Sequence, residues 1–347
     1  MLKRRVAVLG LLGTCVASTS LAQSASRTPR IGILEGMPPE VFPGRYEAFK
    51  EGLRAAGYVE RADLELVYRT ANGKLADLPT LAAELVSLNV DVIFAATTAA
   101  AVAARAATKK IPIVFAVVAD PIGAKLVESL ARPGGNLTGM TTSNIDVAQK
   151  RLQLLKELLS GRASRVALVF NPGDPSNVIV AKLMRDAGLA LGIEISPLEV
   201  RSQEDLDRTF ARLAAGRVDG VAVAAGALTD THVRRITDLA AQARIPTIYS
   251  APEFVEAGGL VSYSGTFSSN YRRAAAYVDR ILRGAKPAEL PVEQSRAPEL
   301  VINRKTAATL GISIPSALLV QARVIDGDEA EDPLLPQYRH RPGVEPT

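Results

Sequence analysis

The sequence predicts an α/β protein of two similar lobes, each a parallel sheet wrapped by helices on both faces. Three observations predict it. Short runs such as Asp91 to Ala96 and Ile111 to Val118 are almost wholly apolar, as strands covered on both faces must be. Such runs alternate with helical patterns, and strand-helix alternation with right-handed crossovers builds one doubly wound sheet per lobe. The alternation also occurs twice at one spacing. Gly57 lies 27 residues after Arg30, and Gly192 lies 27 after Arg165. The Ile-Pro strands at Ile111 and Ile245 begin 81 and 80 residues after those same starts.

In chain order, Arg30 to Leu34 is the first strand, followed by a Gly- and Pro-rich loop from Glu35 to Gly44. Arg45 to Ala56 is a helix stopped by Gly57, which suits the position just past a helix end. Asp63 to Tyr68 alternates as a strand, and Asp77 to Leu88 carries Leu78, Leu81, Leu85 and Leu88 on one helical face. The strand at Asp91 ends in Thr97 and Thr98, which open an Ala-rich helix, and the strand at Ile111 ends in Asp120-Pro121. The second pass begins with the strand Arg165 to Phe170, the helix Pro175 to Leu191 and its stop Gly192. It continues with a strand from Ile193 to Val200, a helix from Glu204 to Ala215, and strands at Val218 to Val223 and Ile245 to Tyr249. The turn and short strand at Ala131 to Met140, and the strand from Gly258 to Tyr263, are where the chain is expected to cross between lobes. A helix from Asn270 to Leu282, a strand from Glu299 to Asn303 and a helix from Lys305 to Leu310 complete the pattern.

The chain has 347 residues, 48% apolar and 22% charged, which suits an ordinary two-domain globular protein. Residues 1–22 differ. Lys3, Arg4 and Arg5 precede an apolar run from Val6 to Val16, and Ser20-Leu21-Ala22 supplies the small residues of a cleavage site, so this segment reads as a secretory signal peptide. The one cysteine, Cys15, lies inside it, preceded by Thr14, a poor fit to a lipid-attachment motif. The net charge of +5 includes those three basic residues, which leaves +2 for the rest and no polyanionic partner implied. Nucleic acid is accordingly not expected as a partner. From Asp326 on, charge and proline dominate without apolar periodicity, as in a disordered tail.

Several chemistries are missing from the sequence. Neither GxGxxG nor GxxxxGK[ST] occurs, nor does a GxSxG elbow, and the two histidines are His232 on a helix and His340 in the tail. No cofactor, metal site or catalytic triad is expected. Binding is a different matter, because open α/β sheets place ligands outside the carboxyl ends of their strands. Thr97 and Thr98 stand there with the free N–H groups of a helix start. Asp120, Glu253 and Asp230 follow other strand ends, and each has an alternative local role. Asp120 fits a turn or the cap of a helix from Ile122, Asp230 the cap of a helix from Thr231, and Glu253 a first helical turn. Asn171, Ser176 and Asn177 follow the first strand of the second pass with the same ambiguity, since Ser176 or Asn177 can cap the next helix.

Three strings carry a family resemblance: Ala131-Arg132-Pro133-Gly134-Gly135-Asn136-Leu137-Thr138-Gly139, Glu253-Phe254-Val255-Glu256-Ala257-Gly258-Gly259-Leu260, and Tyr271-Arg272-Arg273-Ala274-Ala275-Ala276-Tyr277-Val278-Asp279. They resemble the ABC transporter substrate-binding proteins of the periplasmic type I class, in the family that includes aromatic-amino-acid binders. The likeness spans roughly Arg30 to Arg323. It implies two Rossmann-like lobes hinged by three crossovers and closing on a small solute, such as an amino acid or other small organic acid, without catalysis. The partners it implies are an ABC permease and its ATPase, in the periplasm. The family's pocket loops fall on Glu35, Met37, Thr97, Thr98, Asp120, Thr141, Thr142, Asn171, Ser176, Asn177, Gly226, Ala227 and Glu253. A solute carboxylate would sit at Thr97 and Thr98, and Asp120 or Glu253 would take an ammonium group.

The expected organisation is a signal peptide at 1–22, a first lobe at 28–140 plus about 267–296, a second at 141–266 plus about 297–325, and a tail at 326–347. Two rival functions are consistent with such a sequence: a ligand-sensing subunit for a membrane signalling partner, and an exported enzyme using Asp120 or Glu253 as acid or base.

Overall fold

Alternation of side chains along each strand sorts the apolar residues into layers on either side of a sheet. In β3 (Val92–Thr97), following β1 (Arg30–Glu35), α1 (Pro43–Ala55), β2 (Glu65–Thr70) and α2 (Leu78–Ser87), the odd and even residues part company. Val92, Phe94 and Ala96 pack with Tyr46, Phe49 and Leu53 of α1. Ile93 and Ala95 face Leu85 of α2 and the alanines of α3 (Thr98–Ala107). Both faces being buried is why the run is continuously apolar. The computed structural model describes residues 27–142, 145–216, 218–265, 267–295 and 298–326. The expected signal segment, and the expected tail beyond Asp326, lie outside them.

After β4 (Ile113–Val118) and β5 (Leu137–Thr141) the chain enters the second lobe through α4 (Ile145–Leu158). There follow β6 (Arg165–Phe170), α5 (Pro175–Leu191), β7 (Glu194–Glu199), α6 (Gln203–Ala215), β8 (Gly220–Val223), α7 (Ala227–Thr231), α8 (Val233–Gln242), β9 (Thr247–Tyr249), α9 (Glu253–Glu256) and β10 (Val261–Ser264). The chain returns to the first lobe as α10 (Phe267–Leu282) and β11 (Glu293–Gln294). It then crosses a third time to β12 (Glu299–Asn303), α11 (Arg304–Thr309), α12 (Ser316–Gln321) and β13 (Arg323–Ile325).

Among the described residues the first sheet runs β11-β5-β4-β3-β1-β2, and the second β13-β12-β10-β9-β8-β6-β7. Every neighbouring pair is parallel except β10 and β12, which are antiparallel. The order reverses between β1 and β3 in one sheet and between β6 and β8 in the other. Those are the switch points at whose carboxyl ends a crevice opens. The repeated spacing in the sequence is this shared order, laid down twice.

Local chemistry fixes the element ends. Asp174 caps α5 by accepting from the Ser176 N–H, Pro175 takes the first helical position, and Gly192 ends the helix at φ +66°, in the left-handed region open to glycine. Of the two local roles that Asp120 fits, the structure takes the turn, not the cap of a helix from Ile122: Asp120 Oδ1 accepts from the Gly123 N–H at 2.8 Å and Lys125 turns to φ +55°. One expected helix start differs from the structure. Asp230 does not cap a helix from Thr231. The helix starts earlier, at Ala227, and the Asp230 N–H already donates to the Gly226 carbonyl at 2.8 Å.

The helix α1 lies so close to α10 that a Cβ on Gly52 would stand 2.5 Å from the Arg272 carbonyl oxygen and 2.6 Å from the Ala275 Cβ. One of those neighbours is backbone and cannot swing aside. Gly52→Ala is therefore expected to lower stability by about 1–3 kcal/mol despite the better helix propensity of alanine, measured as a lowered denaturation midpoint.

Candidate ligand-binding cleft

The switch points of the two sheets face one another, and the loops after β1, β3, β6 and β8 line one cleft between the lobes. It encloses about 660 Å³ of empty space, the open mouth included. The lobes touch around it. The Thr231 hydroxyl lies 3.3 Å from Met37 Sδ, and a Cβ on Gly36 would stand 3.6 Å from that of Ala227. The arrangement is thus closed.

Charge is concentrated in the cleft. Glu35, at the end of β1, is buried with its oxygens occupied: Tyr271 Oη donates to Oε2 at 2.9 Å and the Gly36 N–H to Oε1 at 2.8 Å. Burial pushes its carboxyl above the ordinary range in spite of those bonds. Asp174 is likewise raised by burial, and its cap bonds to the Ser176 hydroxyl (2.7 Å) and N–H (2.9 Å) oppose the shift. Arg45 lies in the first turns of α1, its guanidinium 3.8 Å from the centre of the Phe42 ring and 4.6 Å from that of Phe267. It donates to Glu253 Oε1 at 2.9 Å and stands 3.9 Å from Asp230 Oδ2. Burial works against its charge, but the two carboxylates outweigh that and hold it charged.

Asp230 is weakly held. Its bond from the Gly226 N–H is long, 3.4 Å, and Arg45 is beyond hydrogen-bond reach. Burial pushes its carboxyl up to about 7; Glu253 and Asp174 add repulsion, while Arg45 and the Gly226 N–H pull the other way. The sign follows from linkage. The folded chain keeps this proton to about pH 7, whereas the unfolded chain loses it near 3.8. The stability Asp230 contributes is complete below the lower value and is lost as pH rises through the upper one. Glu35 and Asp174, also raised, act in the same direction. In ligand-free protein the melting temperature is expected to fall less between pH 5 and 8 in Asp230→Asn than in the parent. Equal slopes in melting curves would show that Asp230 does not titrate there.

Of the residues expected from the sequence, Glu35, Met37, Thr97, Thr98, Ser176, Gly226 and Ala227 line the cleft. The others are placed differently. Asp120 is half-buried in its own turn. Thr141 is buried, donating to the Val118 carbonyl at 2.9 Å, and the Thr142 N–H donates to the same oxygen. Asn171 accepts from the Gly173 N–H, and Asn177 ties the β6 and β8 loops together through the Asn171 N–H and the Ala225 carbonyl. Glu253 reaches the cleft through Arg45. Thr98 also has structural work, its hydroxyl accepting from the Ala119 N–H at 3.1 Å, as Thr97 caps α3 from the Ala100 N–H.

Sequence reasoning missed Arg45, Tyr46, Asp174, Phe267 and Tyr271, which the structure brings to the wall. Asp174 was legible, since an Asp before a Pro that starts a helix is a cap signal at a strand end. Phe267 and Tyr271 come from α10, which returns to the first lobe only after β6 to β10 of the second, and nothing in the local sequence aims them at the cleft.

Among the described residues no group of three or more His, Cys, Asp or Glu is placed to hold a metal ion, and no helix is long and apolar enough to cross a membrane. Residues 41–325 match the family described as ABC transporter substrate binding protein. A tyrosine-binding protein of Clostridioides difficile (strain R20291) is 25% identical over 305 residues, 88% of this chain and 87% of its own. A conserved domain protein from Vibrio cholerae superposes with a TM-score of 0.80 at 31% identity, covering 86% of this chain and 99% of that one. A Streptococcus pneumonia ABC domain in complex with L-Trp superposes equally well, TM-score 0.80 at 26% identity, covering 86% of this chain and all of the other.

Proposed function

The chain belongs to the ABC transporter substrate-binding protein family, and from that premise we propose that it is an exported receptor closing its two lobes on one small zwitterionic solute of the α-amino-acid type. The observation that carries this reading is the pairing of unlike walls across one cleft. On the first lobe, Thr97 and Thr98 open α3, whose first N–H groups have no acceptor within the helix and suit a carboxylate. On the second, Asp230 is a buried carboxyl short of partners, suited to an ammonium group. Asp230 takes the role that the sequence had offered to Asp120 or Glu253. Between the two, Met37, Phe42, Val117 and Phe267 give an apolar wall for a side chain. The relatives that bind tyrosine and L-Trp support an amino acid with a large apolar or aromatic side chain.

Transport needs no covalent step from this protein. The solute touches both lobes only when they are closed, so its contacts favour the closed form by their difference between the two states. A membrane permease with its ATPase then takes the solute from the closed receptor. Residues 1–22 would direct export to the periplasm.

Calorimetric titration tests the reading. L-Tyrosine, L-tryptophan, L-phenylalanine and L-leucine are compared with their N-acetyl and amide derivatives, with sugars and with organic acids. The expected result is binding of at least one free amino acid and a loss of about 100-fold or more on blocking its ammonium group. Equal affinity for the N-acetyl derivative, or binding of a sugar alone, contradicts it.

A further inference from the structure

We propose that Arg45 latches the two lobes together, gripping Glu253 of the opposite lobe so that the closed form is populated before any solute arrives. Arg45 belongs to α1 of the first lobe, whereas Glu253 and Asp230 follow β9 and β8 of the second. The pair therefore spans the cleft and exists only when the lobes meet. Its geometry is that of a strong contact. Nη2 and Nε both point at Glu253 Oε1, at 2.9 and 3.3 Å. All three side chains are shielded from water, with 9%, 17% and 11% of the Arg45, Glu253 and Asp230 side chains exposed.

The guanidinium is aimed by its own lobe. Phe42 precedes α1 and Phe267 opens α10, both elements of the first lobe, and their rings flank Arg45 at 3.8 and 4.6 Å. Opening the lobes leaves that sandwich intact and removes only the carboxylates, so little side-chain freedom is lost when they return. Glu253 is committed to the contact as well. Its Oε2 is buried without a hydrogen-bond partner, so Arg45 is what holds this carboxylate in the closed form.

The test is a distance distribution between spin labels on the two lobes, taken on solute-stripped protein. Labels go on cysteines introduced at the exposed Val102 of α3 and Leu189 of α5, with Cys15→Ser removing the chain's one native thiol. The latch predicts a single short-distance population in the parent. Glu253→Gln and Arg45→Met each shift the closed-to-open ratio toward open by roughly 30-fold or more, as expected for truncating one member of a buried charge pair. The double variant opens no further than either single one, because both remove the same contact. Circular dichroism confirms folding, and Glu253→Gln alone decides the matter if Arg45→Met does not fold. An unchanged distribution in Glu253→Gln, a parent already open, or additive opening in the double variant would overturn the proposal. No solute enters the experiment, so its outcome is independent of which ligand the cleft takes.

Discussion

Asp230→Ala is expected to abolish solute binding, with a loss of at least 100-fold in affinity and little damage to the fold. The first part follows from pairing. A bound ammonium has been taken out of water, and without a carboxylate opposite it the cost is several kcal/mol, whereas the neighbouring acids are already engaged. Glu35 is held by Tyr271 and Gly36, Asp174 by the start of α5, and Glu253 by Arg45. The second part follows from how little Asp230 contributes to structure, since its contacts are one long backbone hydrogen bond and one distant ion pair. Titration calorimetry with the solute found for the parent, beside thermal melts at pH 8, separates the two. A variant that melts normally and still binds within tenfold of the parent would remove Asp230 from the site.

Phe94→Ala carries the largest expected loss of stability, about 3–5 kcal/mol. The ring is fully buried in β3, stacked on Phe49 at 4.3 Å between centres and met edge-on by Tyr271 at 5.3 Å. Its removal leaves a cavity between the sheet, α1 and α10 that rigid neighbours fill only in part. In a chain of this size the melting temperature should fall by roughly 10 °C. Binding should weaken too, because Tyr271 rests on this ring while its hydroxyl holds Glu35 at the cleft wall. A loss below 1 kcal/mol in chemical denaturation would mean that the first lobe repacks around the gap.

These two residues also show what a sequence discloses. Phe94 lies in an apolar run between turn signals, so its strand and its burial could be read from neighbours alone. The repeated 27-residue interval went further and disclosed that five strands of the second sheet repeat the order of the first, down to the Gly192 stop, but not the antiparallel β12 or the added β13. Asp230 was visible as a carboxylate after a strand, but its role depended on where α7 begins, and the small residues from Ala224 to Ala227 carry no sharp cap signal. Asp120 shows the converse. Its local sequence fitted a turn and a helix cap alike, and the bond to Gly123 with the left-handed Lys125 decides for the turn. Arg45 was furthest from reach. It is separated from Glu253 by 208 residues, and helical periodicity reports which face of α1 is apolar, not which lobe swings over its first turn.

The most direct measurement is a crystal structure of the protein grown with the tightest-binding amino acid from the titrations. The account predicts one solute between the lobes, its ammonium within hydrogen-bond distance of Asp230 and its carboxylate on the N–H and hydroxyl groups of Thr97 and Thr98. A solute bound elsewhere, or lying in the cleft with its ammonium away from Asp230, would contradict it.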